Sequence, residues 1–66
     1  MNKEAAINAM TQGGYKVAHR FFSDDEWIMQ LEEEYITDEE GYKLLVEEFW
    51  ACRTEPYWDR DWKIVG

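Results

Sequence analysis

The chain has 66 residues, 15 acidic and 7 basic for a formal net charge of -8, and its aromatic side chains comprise four Trp, four Tyr and three Phe. That length holds a single domain, residues 1–66, with an expected radius of gyration of about 11 Å and about 60% of the unfolded surface buried. The aromatic content excludes an acidic disordered chain, and the acidity excludes direct nucleic-acid binding, which needs a basic face to neutralise phosphates. No apolar stretch approaches the ~20 residues of a membrane span, and Met1 to Gly14 lacks the continuous apolar run of a signal peptide. Cys52 is the one cysteine, so neither an intrachain disulfide nor a cysteine-rich zinc site is available, and a reducing cytoplasm is the expected compartment.

The first predicted element is a helix over about Lys3 to Thr11. Asn2 is placed to cap it, Ala6, Ile7 and Met10 line one side, and Gly13-Gly14 ends it. Alternation over residues 15–21 predicts a strand with Tyr15, Val17, His19 and Phe21 on its buried face and Lys16, Ala18 and Arg20 on the other. Ser23-Asp24-Asp25 then supplies a turn.

Residues 26–37 admit two structures. Ser23 with Glu26 is a capping-box pair, and Trp27, Leu31 and Tyr35 fall at helical spacing. Against a helix, Glu32, Glu33 and Glu34 would crowd its negative C-terminal end. The favoured alternative is a hairpin with strands at 27–31 and 35–37 turning at the glutamates. Asp38-Glu39-Glu40-Gly41 predicts a turn with Gly41 at positive φ, returning through Tyr42-Lys43-Leu44. A second helix follows over about Leu45 to Arg53, with Glu47 and Glu48 in its first turns, Arg53 in its last, and Leu45, Phe49 and Cys52 on one buried face. Pro56 ends it, and Trp62-Lys63-Ile64-Val65 is the last strand. The expected fold is α+β, a small twisted antiparallel sheet with two short helices in the order α-β-β-β-α-β, with an extra strand possible within 26–37.

Charge is segregated. Residues 24–48 hold eleven acids against Lys43 alone, and the rest of the chain is slightly basic. Such a field either keeps an aromatic-rich protein in solution or steers a basic partner to a docking surface. The candidate docking residues are Asp24, Asp25, Glu32, Glu33, Glu34, Asp38, Glu39 and Glu40. A calcium loop with Gly41 at its sixth position would place Ile36 at the first ligand position, which cannot coordinate. No catalytic residues, metal site or cofactor are expected. His19 is the sole histidine and lies on an apolar strand face, Cys52 sits on a core face, and no glycine-rich loop precedes a helix. The expectation is a binding protein rather than an enzyme. The aromatics Phe49, Trp50, Tyr57, Trp58 and Trp62 crowd the C-terminal part, more than a small core demands of one stretch. Trp50 and Trp58, with Arg20 and Arg53, are therefore candidates for a hot spot or a stacking wall for a planar ligand.

Glu4-Ala5-Ala6-Ile7-Asn8-Ala9-Met10, Gly13-Gly14-Tyr15-Lys16-Val17-Ala18-His19-Arg20 and the ending Asp61-Trp62-Lys63-Ile64-Val65 resemble the Thoeris anti-defence protein 2-like family. That family opens with a helix of the type E-A-x-x-A-M, a glycine and a strand K-V-x-x-R, and it ends on D-W-x-I-V. Residues 4–20 and 61–65 carry the resemblance. The family's tryptophan soon after the strand arginine is replaced by Phe21-Phe22. The segments His19 to Trp27 and Glu48-Phe49-Trp50 look more like short phage and prophage proteins. The resemblance implies a phage accessory protein in the host cytoplasm. Two modes of action follow: blocking a host defence component by protein contact or nucleic-acid mimicry, or acting as an oligomer that sequesters a nucleotide-derived immune signal with Arg20 or Arg53 on its phosphates. A phage scaffold or regulatory protein is a third possibility. For a domain this small, a homo-oligomer and a monomer are equally open.

Overall fold

Asn2 opens the first helix by accepting the Ala5 N–H at 2.8 Å on its side-chain oxygen. In the computed structural model, which describes residues 1–66, this helix, α1, spans Lys3–Gly13. It runs two residues past the expected end because the stop falls on Gly14, at φ 67, whose N–H closes onto Met10 O. Glycine alone takes that conformation without a Cβ clash.

Five strands follow: β1 (Lys16–His19), β2 (Ile28–Glu32), β3 (Tyr35–Asp38), β4 (Lys43–Leu45) and β5 (Trp62–Val65). They form one antiparallel sheet in the order β4-β3-β2-β1-β5. The molecule is α+β, and the extra strand within 26–37 is realised. The hairpin therefore stands and the helix alternative for that segment falls. Half of the capping box nevertheless forms: Glu26 accepts the Ser23 N–H at 3.1 Å and donates its own N–H to Ser23 O. The local signal makes one turn and stops there, because Ile28 pairs with Val17 on one side and Asp38 on the other. Gly41 takes φ 85 in the β3–β4 turn, as its sequence position implied.

Val17, Ile28, Ile36, Leu44 and Trp62 share one sheet face, and α1 covers it with Ala6, Ala9 and Met10. Helix α2 (Val46–Ala51) adds Phe49 and Trp50, and a 3₁₀ turn (Pro56–Asp59) adds Trp58. The opposite sheet face carries no helix. Cross-strand register places Lys16 and Ala18 of β1 there with Val65 and Lys63 of β5. The result measures 26 × 25 × 22 Å with a radius of gyration of 10.7 Å.

Three expectations need correction. The first strand was expected to reach Phe21 but ends at His19, since the chain turns there: Phe22 N–H bonds to His19 O at 2.9 Å. Phe21 consequently lies exposed; Tyr15, before the strand begins, is exposed as well, while Ala18 of the other face is buried. The second helix is shorter than the span from Leu45 to Arg53, and Cys52 beyond its end is exposed rather than core. Arg53 also lies past that end, yet its Nη1 donates to Phe49 O at 3.1 Å and satisfies a C-terminal carbonyl.

His19 is 2% exposed and fills both ring nitrogens. Nδ1 accepts the Phe21 N–H at 3.1 Å, and Nε2 lies 2.9 Å from Tyr57 O. A carbonyl can only accept and a backbone N–H can only donate, so the ring is the neutral Nε2–H tautomer. Its plane is packed against Trp58, with centroids 4.4 Å apart, and edge-on to Trp62 at 4.9 Å. Trp62 is tied in turn by its indole N–H to Trp58 O at 2.7 Å, and its backbone pairs with Met1 on the outer edge of β5.

Two outcomes are expected. Gly14→Ala lowers the unfolding free energy by about 1–2 kcal/mol in urea titration, the cost of forcing a Cβ into the left-handed region. Nitrogen-15 NMR of the imidazole shows protonated Nε2 and unprotonated Nδ1, and His19→Ala costs about 3 kcal/mol through two orphaned backbone groups and a cavity.

Candidate functional site

Each reversal of an antiparallel sheet moves the chain to the opposite end. The β1–β2 loop and the β3–β4 turn are therefore neighbours, and the two-residue β2–β3 turn lies at the far end. Asp24, Asp25 and Glu26 thus join Asp38, Glu39 and Glu40 at one end, while Glu32, Glu33 and Glu34 sit at the other. The length of β2 separates the groups, about 16 Å at the usual rise per residue. The acidic stretch that is continuous in sequence is two clusters in space.

Each cluster has engaged and free carboxylates: Glu33 and Glu34 at the far turn are exposed and outside both ion pairs. Asp38 accepts the N–H groups of Glu40 and Tyr42, both at 3.0 Å, and so builds the turn. Glu32 pairs with Lys43 at 3.4 Å, and Gln30 donates to the Glu32 and Glu33 carbonyls, which stiffens the far turn. Asp24, Asp25, Glu39 and Glu40 are exposed at the loop end, and neither of the protein's two ion pairs involves them. The second ion pair, Arg20 to Asp61 at 3.9 Å, is long and largely solvated, and adds little to stability.

The predicted hot-spot residues divide as well. Trp50, Arg53 and Trp58 come together around Phe49 and Trp62, as parts of the fold rather than as a free wall. Trp50 meets Phe49 and Trp62 at 4.9 and 5.4 Å, with Lys3 over its ring at 4.6 Å. The Arg53 guanidinium lies 3.8 Å from the Phe49 centroid and 5.2 Å from Trp58, with its Nε sealed from water. Such stacked arginines contribute about 0.5–2 kcal/mol of cation–π attraction.

Arg20 lies elsewhere, with a side chain 72% exposed. It joins Lys16 and Lys63 around a groove of about 350 Å³ on the uncovered sheet face. Ala18 and Val65 contribute apolar surface there, and Trp27 forms a wall with Lys16 held 4.5 Å over its ring. Asp24, Asp25 and Glu26 close the groove from the loop side, so it presents cations on one wall and carboxylates on the other.

Sequence reasoning passed over the exposed aromatics of the loop end. Tyr42, in the β3–β4 turn, is the most exposed aromatic at 64%, and two others at this end of the sheet meet each other. Phe21 is 60% exposed and Tyr57 37%, and their rings meet edge-to-face at 5.0 Å. Alternation had assigned Phe21 to the buried face, and nothing in the spacing of His19 and Phe21 announces a ring-to-backbone bond. No helix is long and apolar enough to cross a membrane, and no three His, Cys, Asp or Glu side chains gather as a metal site. No family model, curated protein or solved structure matches the chain.

Proposed function

We propose that the protein is a small acidic binding protein of phage type that inhibits a host defence component by docking its acidic loop end on a basic surface of that component. One observation carries this reading: the fold brings two separate turns to one end of the sheet and leaves Asp24, Asp25, Glu39 and Glu40 there without an ion-pair partner. Unpaired surface carboxylates steer a basic partner over roughly a Debye length and accelerate its encounter. The phage setting comes from the resemblance of residues 4–20 and 61–65.

Magnitudes favour a docking patch over a replica of duplex DNA. A duplex carries one charge per ~1.7 Å, or about 15 over the 26 Å length of this molecule, against a net -8 here. The field is about half as dense and concentrated at the ends. A basic groove that normally holds nucleic acid remains a natural target, reached by matching a few of its contacts rather than all.

A second reading is supported by the groove at Arg20. The cationic wall of Lys16, Arg20 and Lys63 supports a nucleotide-like anion held by an oligomer, although the carboxylates of Asp24, Asp25 and Glu26 oppose it and Lys16 already lies over the Trp27 ring. In this reading Arg20 engages the phosphates, since Arg53 is spent on the Phe49 carbonyl and two rings.

Capture from host lysate on immobilised protein, with mass spectrometry of bound proteins and heat-released small molecules, separates the two. The docking reading predicts a basic protein released at about 1 M salt, where the Debye length is about 3 Å, and lost in the Asp24→Lys, Glu39→Lys double variant. Capture indifferent to both salt and charge reversal contradicts it. The second reading predicts a released nucleotide that disappears with Arg20→Ala while the fold is kept; its retention contradicts that role for Arg20.

A further inference from the structure

We infer that the exposed Phe21–Tyr57 pair is the apolar anchor of the acidic loop end, held in its binding geometry by His19, and that its partner is a basic protein surface presenting an apolar side chain. The inference rests on the docking reading above and adds what the acids alone lack.

The geometry divides labour between backbone and side chain. His19 Nδ1 takes the Phe21 N–H, and Nε2 donates to the Tyr57 carbonyl. Both bonds use main-chain atoms, so any residue at position 57, and any but proline at position 21, could serve the imidazole. The aromatic side chains are surplus to that requirement. Phe21 stands 60% exposed and Tyr57 37%, stacked edge-to-face at 5.0 Å, with Phe21 5.4 Å from the imidazole and 6.3 Å from Trp58. Their backbones are fixed by a buried ring, so little conformational freedom remains to be lost on binding.

The interface needs such an anchor. A face of this molecule measures about 25 × 22 Å, so the loop end offers roughly 500 Å² a side, and the pair of surfaces falls near or below the ~1,200 Å² lower bound for specific complexes. Rim charges raise the association rate more than they slow dissociation. Stable binding at that area depends on a few desolvated aromatics ringed by polar groups. Phe21 and Tyr57 are placed for this role, and the exposed charged residues of their two loops are net acidic: Asp24, Asp25, Glu55, Asp59 and Asp61 against Arg20 and Arg60. The occupant follows from charge complementarity: an apolar pair in a net acidic surround fits a basic surface that presents an apolar side chain.

Two synthetic probes test this: a decalysine peptide, and the same peptide with its two central lysines replaced by leucine. Both are titrated at low salt into the intact protein, followed by tryptophan fluorescence and NMR of the aromatic side chains. Leucine at the centre is expected to tighten binding about five-fold or more, although two charges are lost, and to shift the ring signals of Phe21 and Tyr57. Phe21→Ala removes that advantage while leaving decalysine binding and the His19 tautomer as in the parent, and Phe21→Tyr retains it. If decalysine binds and the leucine peptide binds more weakly, as loss of charge alone dictates, the anchor is overturned while the acidic docking surface stands. If neither peptide binds, both fall.

Discussion

The two hydrogen bonds of the His19 imidazole hold this small structure in register. A buried polar ring with an unfilled nitrogen costs about 1–3 kcal/mol, so the ring is stable at 2% exposure only while both partners are in place. One partner, the Phe21 N–H, ends β1 and turns the chain away from the sheet. The other, the Tyr57 carbonyl, anchors the 3₁₀ turn that brings Trp58 and then Trp62 onto the core. Two segments remote in sequence, the end of β1 and the 3₁₀ turn, meet on one side chain. A domain of this size, which buries a smaller fraction of its surface than larger domains do, gains specificity from such a joint as well as energy.

That joint also decides what the loop end presents to solvent. The helices cover one sheet face and leave the other open, which antiparallel sheets tolerate well. On the open face the cations Lys16, Arg20 and Lys63 border a groove, and beyond the strand ends the acids of two turns collect. Phe21 and Tyr57 stand at the same end as the free carboxylates. The net charge of -8 is therefore divided between two acidic ends with a cationic patch on the open face, and the function proposed here draws on the end that carries Asp24, Asp25, Glu39 and Glu40.

Much of the fold was legible because it is local. Asn2, Gly14 and Gly41 act through local geometry, and the last strand forms at Trp62–Val65 as expected. Residues 26–37 were harder, since Glu26 does make its capping bond to Ser23; pairing with Val17 and Asp38, both distant in sequence, overrides it. The acidic surface depended on the same question. The number of chain reversals between Asp24 and Glu40 determines which acids share an end, so a linear tally merged two clusters into one. Arg53 and Trp58 looked free because composition cannot show that a guanidinium will be stacked between rings and bonded to a carbonyl. The exposure of Phe21 was hidden for a related reason: the pattern records alternation, whereas β1 ends in a turn closed by the Phe22 N–H on His19 O and the Phe21 N–H on the imidazole.

Amide hydrogen exchange at Phe21 tests the central role of His19 most directly. Its N–H lies in an exposed turn and has the imidazole as its acceptor. The account predicts protection of that amide comparable to the Arg20 and Trp62 amides, lost selectively in His19→Gln while α1 remains protected. Exchange of Phe21 in the parent protein as fast as the amides of Asp24 and Asp25 would contradict it.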